Sequence, residues 1–287
     1  MPIPNYKTLA QNELDGKECS YSFRKAPTQA TAAGIWFDLS MSSGNPTPNY
    51  YAASPTVSIA LAQSTDGGFY HGIAPPNEKV FLKRLMMMPL SAGMANLPLI
   101  LCDYLMYYPF MDMSIVDEQL TTNTITLPRY PTGEGVQMMA VEVAAQSGVG
   151  NPQFYVRYTN SDGVPNRITP LISCNTQTVN GTIITSSAAT ARSSAPFLPL
   201  QAGDRGVRSI EAIYNQSPDV GLISLVLVKK ISDHNLVGID APVEKDNVVD
   251  YTKLNEIKPD AYLNFICLPS ANIAGSSITG IAYYVWG

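Results

Sequence analysis

The stretch LILCDYLMYYPFMD at residues 99–112 decides the fold. Leu99, Leu101, Asp103, Leu105 and Tyr107 share one face of an extended chain, and Ile100, Cys102, Tyr104, Met106 and Tyr108 share the other. A run that is apolar on both faces is buried on both sides. Two more runs follow: TLPRYPTGEGVQMMAVEVAAQ at 126–146 and PQFYVRYTNSDGVPNRITPLI at 152–172. Pro, Gly and Asp clusters separate the three, as in antiparallel strands joined by turns. Asp162-Gly163 tolerates the left-handed backbone of a tight hairpin.

The pattern extends both ways from this stretch. Further strands are expected over 207–214, 220–228, 261–268 and 277–286, and shorter ones over 21–24, 35–39 and 56–61. Val80–Pro89 fits a strand or a helix, and Thr121–Leu127 reads as a polar strand. Residues 232–258 are the most charged segment and read as a long connection. Residues 175–194, rich in Ser, Thr and Ala, read as a surface loop.

With no βαβ alternation, the expected class is all-β: a jelly-roll-like antiparallel sandwich with an N-terminal extended arm and a small β subdomain. The sandwich is placed at 79–287, the small β-rich segment at 19–78 and the arm at 1–18. Within the arm, Tyr6–Leu14 suits a short helix. Tyr6, Leu9 and Leu14 are too few to form a core alone, so they are candidates for docking on a neighbour, in an arm ordered only there.

Composition narrows the function. Only 14% of residues are charged, against about 25% in a typical soluble domain. Such a surface suits a chain that buries much of itself against neighbours, and equally an ordinary turn-rich β protein. The net charge of −5 and the lack of any Lys/Arg run argue against nucleic acid as a partner. Residues 1–18 show no basic segment leading into an apolar one. No run reaches the roughly 18–20 apolar residues of a membrane helix. The expectation is a protein with no membrane partner. Cys19, Cys102, Cys174 and Cys267 form no CxxC pair and have no His at metal-ligand spacing, so free thiols are expected.

Catalytic chemistry finds little to stand on, and no enzyme or cofactor is expected. His71 and His234 are the only histidines, and neither accompanies a nucleophile motif. Asp112 with Asp117 and Glu118, or Asp204 with Glu211, are the carboxylate groupings to weigh for glycan cleavage. Solvated loop acids are the plainer reading of both. Tyr50, Tyr51, Tyr107 and Tyr108 are candidate glycan or interface aromatics, although tyrosines inside strands are ordinarily core residues.

Five stretches together resemble a group of tailed-bacteriophage virion proteins. They are LCDYLMYYP at 101–109, LPRY at 127–130, YTNSDG at 158–163, LQAGDRGVRS at 200–209 and AYLNF at 261–265. The resemblance spans roughly residues 79–287 and does not include the arm or the first strands. It implies a decoration, or cement, protein on the capsid exterior of a virion assembled in the host cytoplasm. Such a protein binds the assembled shell and stabilises contacts between major capsid proteins. Its implied partners are the major capsid protein and itself, as a homotrimer. No catalytic residue comes with it. The alternative is a receptor- or glycan-binding module of a tail or head fibre, which would use the four tyrosines.

Overall fold

The computed structural model describes residues 3, 5–174, 178–184, 196–239, 241–249 and 254–287. After helix α1 (Tyr6–Leu14) come β1 (Glu18–Ala26), β2 (Phe37–Asp38), β3 (Ser43–Asn45), β4 (Ile59–Ala60), the single turn α2 (Gln63–Asp66) and β5 (Val80–Pro89). Next are β6 (Leu97–Asp112), β7 (Gln119–Leu120), β8 (Val136–Ala144), β9 (Gln153–Asn160), β10 (Arg167–Ile168) and β11 (Ile172–Ser173). The last are β12 (Val207–Asn215), β13 (Leu222–Leu236), β14 (Val243–Asp246), β15 (Asn255–Ile257), β16 (Tyr262–Cys267) and β17 (Ile278–Trp286).

These strands make three antiparallel sheets. The central one has the order β2-β16-β6-β13-β8, with β4 also on β6. One outer sheet runs β14-β5-β17-β1-β3, with β15 also on β5. The other runs β10-β9-β12-β7, with β11 also on β9. The chain is thus an all-β antiparallel sandwich, as its residue pattern indicated. These strand orders are compatible with the jelly-roll-like form of that expectation.

β6 organises the rest. It pairs with β13 from Leu97↔Leu236 to Asp112↔Leu222. Its other edge pairs with β16 over residues 99–104 and with β4 at Met106 and Tyr107. Two bulges re-aim its side chains. Leu105 is the extra residue between the Tyr104 and Met106 pairings, and Pro109-Phe110 face the single residue Ser224. A bulge accommodates Pro109, which has no N–H for the ladder, and Phe110, whose φ is +56°. The simple alternation read from the sequence therefore fails past Leu105. Leu97, Leu99 and Leu101 enter a core against the first outer sheet, with Phe23, Leu82, Met87, Phe265 and Tyr284. Leu105, Met106, Tyr108 and Met111 enter a second core against the other sheet, with Phe154, Val156, Ile210 and Ile213. Ile100, Cys102, Tyr104 and Tyr107 line the opposite face beneath Trp36, Met41, Tyr51, Leu61 and Ile183.

Asp103 lies between Leu101 of the first core and Leu105 of the second. Arg129, from the β7–β8 connection, meets it with two hydrogen bonds, Nε to Oδ2 at 3.0 Å and Nη2 to Oδ1 at 2.8 Å. The same guanidinium donates to the backbone carbonyls of Tyr104 at 2.8 Å, Leu61 at 3.0 Å and Asp260 at 3.1 Å. It thereby closes the gap on the β6 edge between β16 and β4. Burial pushes the Asp103 carboxyl up to about 6, against the opposing pull of Arg129, so it is ionised at neutral pH.

Several expectations are corrected. Residues 19–78 are not a subdomain: β1 lies between β17 and β3 in an outer sheet, while β2 and β4 join the central one. The charged segment 232–258 is not one long connection. β13 continues to Leu236 with Ser232, His234 and Leu236 inward and Asp233 and Asn235 outward. β14 and β15 then pair with β5. The polar strand expected at 121–127 does not form, Thr122 making only an isolated bridge to Val57, and the one at 56–61 shrinks to β4. Much of the Ser/Thr/Ala-rich stretch lies outside the described residues, but Ile183 and Ile184 are buried beside β8, with Ile184 N–H bonded to Ala140 O at 2.8 Å.

Replacing Arg129 by Met should destabilise the fold by about 3–5 kcal/mol, because it strands a buried carboxylate and three carbonyls. Urea unfolding checks this. Adding Asp103→Leu should recover part of the loss, since the charge goes with its partner.

Candidate functional site

The arm does not hang free. Asn5 caps α1, its Oδ1 accepting the Thr8 N–H at 2.9 Å. The helix lies on the first outer sheet with Leu9, 2% exposed, packed on Phe81 and Val285. Asn12 Nδ2 donates to Trp286 O at 3.1 Å, and Lys83 pairs with Glu13. Leu9 is therefore core and not a capsid-docking residue, and residues 5–14 pack on their own chain. Tyr6 at 68% and Leu14 at 83% remain exposed and open to a partner.

Three of the four tyrosines singled out from the sequence are buried too. Tyr51 donates to Asp38, as does Tyr104, at 2.7 Å in the latter case. Ser40 also bonds Asp38 through its N–H and its hydroxyl, both at 2.8 Å. Burial raises the Asp38 carboxyl, and these hydrogen bonds oppose the rise. Tyr107 packs its ring on Tyr51 with centroids 5.2 Å apart. Tyr108 donates to Asn123 Oδ1 at 2.6 Å and accepts the Ile210 N–H at 3.1 Å. Only Tyr50 is exposed, so no four-tyrosine platform exists.

The carboxylate groupings are taken up in structural contacts, Glu118 and Glu211 sharing the Arg157 guanidinium. Asp112 Oδ1 accepts the Ser114 N–H at 2.8 Å, and Glu118 pairs with Arg157 at 3.1 Å. Asp204 takes Tyr158, Asn160 and Arg167, while Glu211 takes the Thr159 hydroxyl at 2.6 Å. His234 shares a 2.7 Å hydrogen bond with Ser232, and burial pushes its pKa down to about 3. Among the described residues, no group of three or more His, Cys, Asp or Glu is placed to hold a metal ion. All four cysteines are free. A cavity of about 430 Å³ opens where β5 and β15 diverge, walled by Ile73, Pro75, Pro76, Val80 and Pro259. Its two lysines, Lys79 and Lys258, are both paired with Glu256.

The arrangement best suited to recognition is one that residue patterns missed. The β6–β7, β8–β9 and β12–β13 connections meet at one end of the second sandwich, since Leu222 pairs with both Asp112 and Ala144 and Asn215 pairs with Phe154. Each presents exposed aliphatic side chains: Ile115 and Val116, Val149 at 79%, and Val220 at 59%.

These loops are pinned. The Asp219 carboxylate accepts N–H groups from Gly148 at 2.9 Å, Ser147 at 3.2 Å and Val220 at 2.7 Å, and also the Ser147 hydroxyl. Asp219 is held below the usual carboxylate range, because these bonds outweigh its desolvation. Asn215, fully buried, donates through Nδ2 to Asp112 O at 3.1 Å and Ile115 O at 2.8 Å. Gln119 brackets Asp112 by exchanging two hydrogen bonds with its backbone, at 2.8 and 2.7 Å. Gly221, with φ +96°, lets the chain cross the end of β8, where a Cβ would lie 2.6 Å from Ala144 O. Exposed apolar side chains on stiffened loops lose little conformational entropy on docking.

No protein-family model, no curated protein and no solved structure matches this chain.

The burial contrast within α1 is directly measurable. Leu9→Ala should cost about 2–5 kcal/mol. Leu14→Ala and Tyr6→Ala should stay within about 0.5 kcal/mol. Thermal or urea denaturation of the three variants distinguishes them.

Proposed function

We propose that this protein is a structural subunit of a tailed-bacteriophage particle, a decoration protein that seats on the outside of the assembled capsid and bridges major capsid proteins. The observation that carries the reading is the apolar tip formed by Ile115, Val116, Val149 and Val220 on loops fixed by Asp219 and Asn215. The sequence resemblance supplies the virion context, and the sparse surface charge agrees with it. Burying an aliphatic side chain of this size contributes about 1.5–3 kcal/mol. Four at one tip therefore supply a useful anchor, and a trimeric subunit would multiply it through avidity. Tyr6 and Leu14 on α1 offer a second contact on the first outer sheet.

The test uses purified full-length chain added to shells that lack it. Val149→Asp with Val220→Asp should leave the melting temperature unchanged, because both positions are exposed. It should weaken shell binding by at least about tenfold, since charged groups would have to be desolvated. Unchanged binding in that variant, with loss in Tyr6→Ala/Leu14→Ala, would move the attachment to α1. Absence of the chain from purified virions would dismiss the reading altogether.

A further inference from the structure

Beneath the tip lies an acid that the docking surface does not use. Glu142, near the end of β8, has no solvent exposure, and its carboxyl makes no close hydrogen bond, although the Thr178 hydroxyl and the Gln146 N–H lie near enough to favour its charged form. Alternation along β8 puts it on the side of Val136, Met138 and Ala140, which belong to the second core. Its own backbone is fixed: its N–H bonds Thr182 O and its C=O accepts the Gly181 N–H, both at 2.8 Å. The β8–β9 loop, which begins three residues later and carries Val149, is pinned by side-chain hydrogen bonds from Asp219 and Thr178 rather than by strand pairing, so it is the element that can yield.

The surrounding groups come from three places. From the loop comes Gln146, whose side-chain amide is also buried and unpartnered. Thr178 holds the Gln146 backbone, accepting its N–H at 3.0 Å and donating to its carbonyl at 2.8 Å. Cys174 follows β11, its thiol pushed up to about 12 by burial. Asp219, from the β12–β13 loop, is the charged neighbour and disfavours a second negative charge.

We propose that Glu142 is a proton-controlled latch: in its neutral form it lets the β8–β9 loop close over the core, and losing its proton drives that loop open and withdraws Val149 from the tip.

The direction follows from linkage. Burial pushes the closed-state Glu142 carboxyl up to about 8, the negative charge of Asp219 adds to this, and Thr178 and Gln146 oppose it. In the open loop the group returns towards its ordinary value of 4.5. Its folded pKa is thus raised, so closure is favoured in full below the open-state value. That advantage shrinks as pH rises and is gone once the closed form also ionises. The loop-opening constant therefore climbs close to tenfold per pH unit from about pH 5 to about pH 8 and then levels off. Asp219 has a lowered pKa and titrates below this window.

Amide hydrogen exchange on the full chain tests the latch. Ser147, Gly148 and Val149 each donate a backbone N–H within the β8–β9 loop. Their protection factors should fall by about tenfold per pH unit between about pH 5 and about pH 8, while β13 core amides stay more protected. In Glu142→Gln the slope should vanish, and Glu142→Leu serves if that variant does not fold. Tip amides that exchange only together with the β13 core, or a slope that survives in the variants, would overturn the proposal. The consequence for docking rests on the tip being the attachment surface. The exchange measurement needs no capsid, so failure of shell binding and failure of the latch are read separately.

Discussion

The bidentate pair between Asp103 and Arg129 is the interaction on which the two-sandwich layout depends. One strand, β6, must serve a core at each end, and at the seam neither outer sheet alone covers its backbone. The guanidinium reaches carbonyls at residues 61, 104 and 260, so one side chain joins four distant stretches of chain. Buried ion pairs are often no more stable than well-packed apolar replacements. What this pair adds is position: it satisfies the edge left open between β4 and β16, which an apolar side chain would leave unbonded.

Sequence reading succeeded where one physical signal dominated. A continuous apolar run on both faces marked β6 as buried on both sides, and Asp162-Gly163 marked a turn because Gly163 takes φ +80°. It failed where the signal was shared. Tyr51, Tyr107 and Tyr108 combine an apolar ring with a hydroxyl, so burial with a partner and exposure as a platform look the same along the chain. Faces beyond Leu105 were misassigned because a bulge shifts the period of two. Charge between 232 and 258 concealed a strand whose inward positions are only Ser232, His234 and Leu236.

The candidate site was less legible still. Ile115, Val116, Val149 and Val220 are scattered apolar residues in polar turns, and only the sheet order makes them neighbours. Asp219 and Asn215 carried a usable hint, because such residues in loops commonly accept or donate to nearby backbone. Their partners at 147–148 and at 112 and 115 lie far away in the chain, so that hint pointed at no particular contact. Tip rigidity and tip exposure have one origin: polar side chains below hold the backbone and leave the aliphatic groups outside.

The pairing of β17 between β1 and β5 also bears on biosynthesis. Glu18 meets Val285 across the first outer sheet, so β1 must wait for a strand made far later in the chain before that sheet is complete. Until then β1 and β5 present edges that β17 will pair, and Leu9 lacks its contact with Val285. Such long-range closure is slow and leaves nascent chains prone to pairing with one another. The second sandwich lacks only β13 once residue 215 is made, so it can assemble while the first outer sheet is still incomplete. Synthesis order thus builds the tip end before the helix-bearing end, and crowded polysomes are where this chain is most exposed to misassociation.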